Sequence, residues 1–374
     1  MKKVVVGLSG GVDSSVAAYL LKKQGYDVLG VTMCVLPKEH KALEEAMVRD
    51  ARAVAERIGI PYEAVDFREP FQKHVMDYFV AEYKLGRTPN PCVMCNRYVK
   101  WEAILAYGRE HGADYIATGH YARIEKLPGG RYSVRNSVTA KKDQTYVLFQ
   151  LTQEQLARTL MPVGGYTKEE IRRIAEEAGI PVADKKDSQE ICFIPDNDYA
   201  GFIERQQVGA QGQQACGDAR GAGCGAGDCR NEAWNRPGNF VSPDGQILGQ
   251  HKGIIHYTVG QRKGLGIAFG KPMFVMQIKP ETGEVVIGEN EDLMVTELVC
   301  DHVNFMAIPA LQPGESADVV GKIRYAHQGT AARITMQEDG RLKAEFVEPV
   351  RAVTPGQAAV FYTGEYIACG GMIV

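Results

Sequence analysis

The first third of the chain alternates between two hydrophobic periods. Val4, Val5 and Val6 read as a buried strand, and residues 14–23 follow with helical spacing. Gly25 ends that helix, and the apolar run 28–33 reads as a second strand. Leu43, Met47, Ala51, Val54 and Ile58 then recur at steps of three and four, one helix face that stops at Gly59. The pattern continues with a strand over 62–67, helices over 71–83 and 99–111, and a strand over 114–118. Such alternation specifies an α/β fold with a doubly wound, mainly parallel sheet that binds its ligand at the carboxyl ends of its strands. Met33 and Gly119-His120 fall at two of those ends.

From about Arg205 the helical period is lost. Residues 207–233 are rich in Gly, Ala and Gln and read as a loop or disordered insertion. Short strands bounded by turn residues follow, among them 247–249, 274–279, 284–287 and 344–346. A chain of 374 residues exceeds one typical core. The expected division is an α/β domain at 1–205, a small β-rich module at 206–272 carrying the insertion, and a C-terminal β-barrel at 273–374.

Composition narrows the class. Hydrophobic residues are 45% and charged residues 24%, the balance of an ordinary globular protein. No apolar run approaches the roughly 20 residues of a membrane span, and the amino end reads as a strand and not a leader. A cytoplasmic protein with no membrane partner is the expectation. With 43 basic and 46 acidic residues the net charge is −3, so any RNA site must be a local basic patch. Lys141-Lys142, Lys185-Lys186 and Arg262-Lys263 are candidates for such a patch. Arg172-Arg173 belongs to the solvent face of an amphipathic helix opened by Thr167 and Glu170. Nine cysteines, an odd number without a secretion signal, indicate reduced thiols with chemical or metal roles.

The first strand runs directly into Ser9-Gly10-Gly11-Val12-Asp13-Ser14 and a helix. Glycines let backbone N–H groups approach an anion, and the helix N-terminus adds unpaired donors. Polyphosphate suits that geometry. The loop is neither Gly-x-x-x-x-Gly-Lys-Ser/Thr nor Gly-x-Gly-x-x-Gly. It resembles the PP-loop of the ATP pyrophosphatases, which cleave ATP between the α- and β-phosphates and transfer AMP to an oxygen. The resemblance implies that Ser9, Gly10, Gly11 and Ser14 hold pyrophosphate and that Asp13 positions the phosphates or their Mg2+.

Two cysteines stand in informative surroundings. Thr88-Pro89-Asn90-Pro91-Cys92-Val93-Met94-Cys95-Asn96 is a proline-stiffened loop leading into a helix expected to begin near Asn96. Cys95 would then lie at a helix N-terminus, where the dipole lowers a thiol pKa. Cys192 follows the paired Lys185-Lys186. Two thiols that the fold brings together suit sulfur relay, one carrying sulfane sulfur and the other releasing it by forming a disulfide. Cys216, Cys224 and Cys229 lack an evident fourth ligand for zinc, and an unliganded loop is expected there.

With these residues in view the chain resembles the tRNA-specific 2-thiouridylase family. The resemblance runs through Gly7-Leu8-Ser9-Gly10-Gly11-Val12-Asp13-Ser14, Gly86-Arg87-Thr88-Pro89-Asn90-Pro91, Ala117-Thr118-Gly119-His120-Tyr121, Lys142-Asp143-Gln144, Lys186-Asp187-Ser188, Ile191-Cys192-Phe193-Ile194, Gly260-Gln261-Arg262-Lys263-Gly264-Leu265-Gly266 and Thr354-Pro355-Gly356-Gln357. It implies that ATP adenylates the C2 oxygen of the wobble uridine in the tRNA anticodon loop, and that sulfur from a protein persulfide, supplied by a sulfur-donor protein or other sulfane sulfur source, then displaces AMP. It carries over Cys95 as nucleophile and Cys192 as persulfide carrier, joined in a transient disulfide. Gly7 through Ser14, Met33 and Gly119 would line the ATP site. Asn90, Pro91 and Cys92 would meet the target base, and Lys142, Asp143, Gln144, Arg324 and Tyr325 would contact tRNA.

One departure leaves an alternative open. Many family members carry Asp where this chain has Cys92. Cys92, Cys95 and Cys192 are thiolates enough for a [4Fe-4S] cluster with one open iron, which would replace the relay because the same sulfurs cannot serve both. A PP-loop amidotransferase or ligase is a rival from the same loop. A non-catalytic RNA-binding protein on a relic nucleotide fold is a rival from another class.

Overall fold

A computed structural model describes residues 1–183, 185, 191–214, 233–267 and 270–374, with backbone alone at 207–214 and 233. Its first unit is a parallel sheet of β1 (Lys3–Gly7), β2 (Asp27–Cys34), β3 (Tyr62–Asp66), β4 (Tyr115–Ala117) and, beyond the hairpin β5 (Ala122–Lys126) and β6 (Tyr132–Asn136), the short β7 (Thr159–Leu160). The strand order is β3-β2-β1-β4-β7, every neighbour parallel. Val5 packs into one core cluster, Val4 and Val6 into another. That is why three valines stand in a row: both faces of β1 are covered.

Helices α1 (Val12–Lys23) and α2 (Lys41–Ile58) connect the first strands. Gly59 ends α2 with φ +72, as its position in the pattern predicts. The predicted apolar face of α2 holds at Ala51, Val54 and Ile58, but Leu43 is 46% exposed. Glu44 is buried in its place, accepting from Leu36 N at 2.9 Å and pairing with Arg68.

Three further differences concern boundaries. The hairpin β5–β6 leaves the α/β unit and joins the barrel, where Arg135 pairs with Tyr366. Strands β8 (Gly238–Val241), β9 (Ile247–His251), β10 (Phe274–Lys279) and β11 (Glu284–Gly288) form one sheet in the order β10-β11-β8-β9, so a boundary before residue 273 cuts that sheet. The helix Tyr199–Gln214 runs into the stretch expected to be a loop. Cys216, Cys224, Cys229, Lys186, Asp187 and Ser188 lie outside the described residues.

The barrel is built from β12 (Met294–Phe305), β13 (Ser316–Lys322), β14 (Thr330–Met336), β15 (Leu342–Arg351), β16 (Ala358–Thr363) and β17 (Tyr366–Ile373). Pairing of β12 with β17 closes its six strands. Its interior is filled by Leu298, Ile334, Phe361 and their neighbours. Among the described residues no helix is long and apolar enough to cross a membrane.

Candidate active site

The order of the parallel sheet reverses between β1 and β4, and ligands of such sheets sit in the crevice at that point. The loop after β1 is 8–11 and the loop after β4 begins Thr118-Gly119-His120. Gly10 takes φ +68, and a Cβ on it would lie 2.8 Å from Met47 O. Gly11 caps α1 without a side-chain hydrogen bond, so the first N–H groups of the helix remain available to a ligand. Hydroxyls shape the loop around them: Ser14 Oγ donates to Gly11 O at 3.1 Å and accepts from Ser9 N at 3.2 Å, while Ser15 Oγ donates to Gly11 O at 2.8 Å. A Cβ on Gly119 would lie 2.5 Å from Ser14 N, so the β4 loop sits directly on the head of α1. The side chains of Leu8 and Val12 are 2% exposed, so these two positions, like Gly7, present only backbone to the crevice. Met33 is half-buried in the carboxyl half of β2, the strand beside β1.

Asp13 is held by groups that sequence reasoning passed over. Lys168 Nζ donates to its two carboxylate oxygens at 2.8 and 2.9 Å, and Tyr121 OH donates at 2.7 Å. The capping box of Thr167 and Glu170 was legible, but not the turn of Lys168 inward. Tyr121 in turn accepts from Gln144 N at 3.0 Å and donates its own N–H to Gln144 Oε1 at 2.9 Å. Lys185, placed above in a basic pair, bonds Gly10 O at 3.0 Å and Asp50 at 2.6 Å. The Asp13 carboxylate is thus committed to protein donors, and the described residues contain no set of three His, Cys, Asp or Glu side chains arranged for a metal ion. With Lys168 and Tyr121 on its oxygens, Asp13 faces protein donors in this arrangement and not a magnesium ion.

The thiol region corrects the sequence reading. The helix begins at Pro91, not near Asn96: Asn90 caps it, its Oδ1 accepting from Cys92 N at 3.2 Å, and proline suits the first helical position. Cys95 therefore lies a turn inside, where the expected dipole effect has faded. Burial pushes its thiol up to about 11, with Lys100 opposing and Cys92 adding to the rise. Cys192 lies at the surface, yet the chain crowded round it pushes its thiol up to about 12, again mainly by desolvation. Cys95, Cys92 and Lys100 also act on Cys192, so the loop and the helix meet. Cys92, Cys95 and Cys192 are all free thiols in this structure.

Lys100 and the local helix type were not legible. Residues Cys95–Ala103 are a π-helix inside a longer helical run. In an α-helix, at about 100° per residue, positions five apart sit about 140° apart, whereas the i→i+5 bonding of a π-helix stacks them on one face. Lys100 thereby shares the face of Cys95. Its charge reaches Cys95, Cys192 and His120. His120 is buried at the end of β4, its Nδ1 2.8 Å from Thr118 Oγ1, and desolvation followed by Lys100 holds it well below the usual imidazole range. Asn96, 1% exposed, donates to Val147 O at 3.0 Å, and its Oδ1 has no hydrogen-bond partner.

The expected RNA contacts are also brought together. Asp143 and Lys142 both act on Tyr325, which is 50% exposed and stacks edge-on to Tyr146 at 6.3 Å. Asp143 itself is occupied by Ser137 N at 2.7 Å and Thr145 N at 3.1 Å, so it shapes the turn. Arg324 donates to Arg351 O at 2.7 Å on the wall of a cavity of about 350 Å³, which Thr88, Thr258, Arg351 and Gln357 also line. Here Thr88 N donates to Pro355 O and Gln357 Nε2 to Thr88 O, both at 2.8 Å. Two distant motifs, 86–91 and 354–357, are one contact.

Comparison with known proteins agrees with this architecture unit by unit. The family described as tRNA methyl transferase HUP domain matches residues 2–196, the tRNA methyl transferase PRC-barrel domain 230–289, and the aminomethyltransferase beta-barrel domain 295–373. The tRNA-specific 2-thiouridylase MnmA of Lachnoclostridium phytofermentans is 54% identical over 382 residues, covering 100% of both chains. The protein of that name from Clostridium perfringens is 49% identical over 380 residues, 100% of this chain and 98% of its own. A solved 4-thiouridine synthetase bound to RNA and ATP overlaps 57% of this chain and 53% of its own, at 22% identity and a TM-score of 0.36. Identity at that level along the whole length places this chain in the tRNA-specific 2-thiouridylase family.

Proposed function

We infer that the chain uses ATP to replace an oxygen of tRNA with sulfur, at C2 of the wobble uridine in the anticodon loop. The uridine O2 attacks the α-phosphorus of ATP seated at residues 9–14. An O–P bond forms, the bond between the α- and β-phosphates breaks, pyrophosphate leaves and the N3 proton is lost. Adenylation turns a poor leaving group into a good one. The terminal sulfur of a Cys192 persulfide then attacks C2, forming C–S as C–O breaks and AMP departs. Attack of the Cys95 thiolate on Cys192 Sγ breaks the former persulfide bond. Its electron pair stays on the sulfur attached to C2, N3 regains a proton, and a Cys95–Cys192 disulfide remains for a dithiol to reduce.

What supports this reading is that the Lys100 charge acts on His120, which follows the Gly119 packed against the head of α1, and also on both thiols. Magnesium enters bound to the phosphates of ATP, and no step is routed through a cluster. Anticodon bases are unpaired and need little unstacking to reach an enclosed nucleophile. A basic strip from Lys142 to Arg324 with Tyr325 supplies phosphate and stacking contacts, and a sulfane-sulfur carrier protein loads Cys192.

The test incubates the chain, purified without oxygen, with tRNA, ATP and a sulfane sulfur source, followed by mass spectrometry of the nucleosides and iron analysis. The expected outcome is 2-thiouridine at the wobble position, one AMP and one pyrophosphate per sulfur, and no iron. Pyrophosphate release without thiouridine would leave adenylation and remove the relay. Stoichiometric iron required for activity would replace the relay by a cluster.

A further inference from the structure

A carboxylate is a poor neighbour for polyphosphate. Asp13 stands in the first turn of α1, beside the N–H groups that face the nucleotide. Alone it would complement the helix dipole but repel the phosphates. Its surroundings answer the problem. Lys168 Nζ spans both carboxylate oxygens at 2.8 and 2.9 Å, Tyr121 OH adds a third bond at 2.7 Å, and the Lys168 side chain is 10% exposed. The lysine is itself fixed. It opens the helix Lys168–Glu177, whose capping box joins Thr167 and Glu170 by bonds of 2.8 and 3.2 Å. Ile171 and Ala175 of that helix pack in one core with Val16 and Ala17 of α1.

We propose that Lys168 is a positioning residue of the nucleotide site, cancelling the Asp13 charge so that the head of α1 presents net positive potential to the phosphates. This rests on the reading that residues 9–14 hold the phosphates of ATP. The pair has a signature that a merely structural lysine lacks. Removing the ammonium harms binding through the carboxylate it strands, so removing that carboxylate as well restores it.

Calorimetric titration of the full chain with the α,β-methylene analogue of ATP, at fixed magnesium, tests the idea. Lys168→Met should weaken binding on the order of 10- to 100-fold, the scale of two charges a few Å apart at a half-buried site. Lys168→Arg should retain most of the affinity. The double variant Asp13→Asn with Lys168→Met, which removes both charges of the pair, should bind within about threefold of the parent. A double variant as weak as Lys168→Met alone would overturn the proposal, as would Lys168→Met binding like the parent. Asp13→Asn as damaging as Lys168→Met would overturn it too, because Asp13 would then act on the nucleotide or its metal directly. Gly11→Glu separates the underlying reading: if it leaves binding unchanged, the loop does not hold the phosphates, whatever the lysine variants do.

Discussion

The two ends of the crevice are built on opposite principles. The nucleotide end is made of backbone: glycines, uncapped helix N–H groups, and an ion pair that keeps the carboxylate quiet. It is complete before substrate arrives. The thiol end is made of side chains, with Cys95 and Cys192 pushed up to about 11 and 12 by desolvation and a single lysine opposing that rise in both. Its reacting species, the thiolate, is nearly absent at rest. Preformed backbone donors at one end therefore stand against protonated thiols at the other.

The comparison breaks most sharply if the two ends can be lost separately. Cys192→Ser and Cys95→Ser should each lower thiouridine formation by about 10³-fold or more, while tRNA-dependent pyrophosphate release stays within a few-fold. Parallel loss of both signals in either variant would mean that the thiols also serve the adenylation step. Gly119→Ala attacks the other end. Its Cβ would meet the backbone of Asp13 and Ser14 at 2.5 to 2.8 Å, displacing the head of α1. Pyrophosphate release and thiolation should fall together, by about 100-fold, the scale of an ångström of misplacement. An alanine variant with parental pyrophosphate release would disconnect the β4 loop from the nucleotide site.

The same contrast explains what was legible. The phosphate loop is local: a strand, three glycine-serine positions and a helix are contiguous in sequence, so period and turn chemistry reveal them. The sheet is legible for the same reason, since Val4–Val6 and the spaced face of α2 state their partners. What stayed hidden depends on approach through space. Lys168 reads as a solvated helix residue until the fold turns it onto Asp13. Cys95 reads as a helix N-terminal thiol because Pro89 and Pro91 look like loop, although Asn90-Pro91 is itself a cap. No composition rule announces a π-helix at 95–103, or sends the hairpin 122–136 to a barrel more than 150 residues downstream.

The pH dependence sharpens the difference further. A thiol raised to about 11 or 12 stays protonated at neutral pH, and its thiolate fraction grows about tenfold per pH unit all the way up to that value. Iodoacetamide alkylation of Cys95 and Cys192, read by peptide mass spectrometry, should therefore climb about tenfold per unit from pH 7 to 9. His120, lowered well below 6.5, is already neutral across that range. Pyrophosphate release should accordingly be flat where alkylation is steep. A plateau in alkylation below pH 8 would place a low-pKa thiol at one of these positions and restore the N-terminal dipole account.

The smallest effect falls on Lys100, and it tests whether the π-helix serves the thiols. A regular α-helix would turn Lys100 about 140° away from Cys95, so the π-helix is what lets one cation favour the thiolate form of Cys95. The lysine is half-buried, and screening reduces its influence to ~1 kcal/mol at each sulfur, roughly a fivefold change in thiolate population. Lys100→Met should slow thiolation by about that factor and move the rising limb of the alkylation profile to higher pH. Lys100→Arg should hold the parental position because the charge is kept. Nucleotide affinity should not change in either variant, since the phosphate loop offers the nucleotide the backbone N–H groups at the head of α1. If Lys100→Met leaves the alkylation profile unmoved while thiolation falls, Lys100 acts on the adenylated base or on AMP, and the division between the two ends is less complete than their construction suggests.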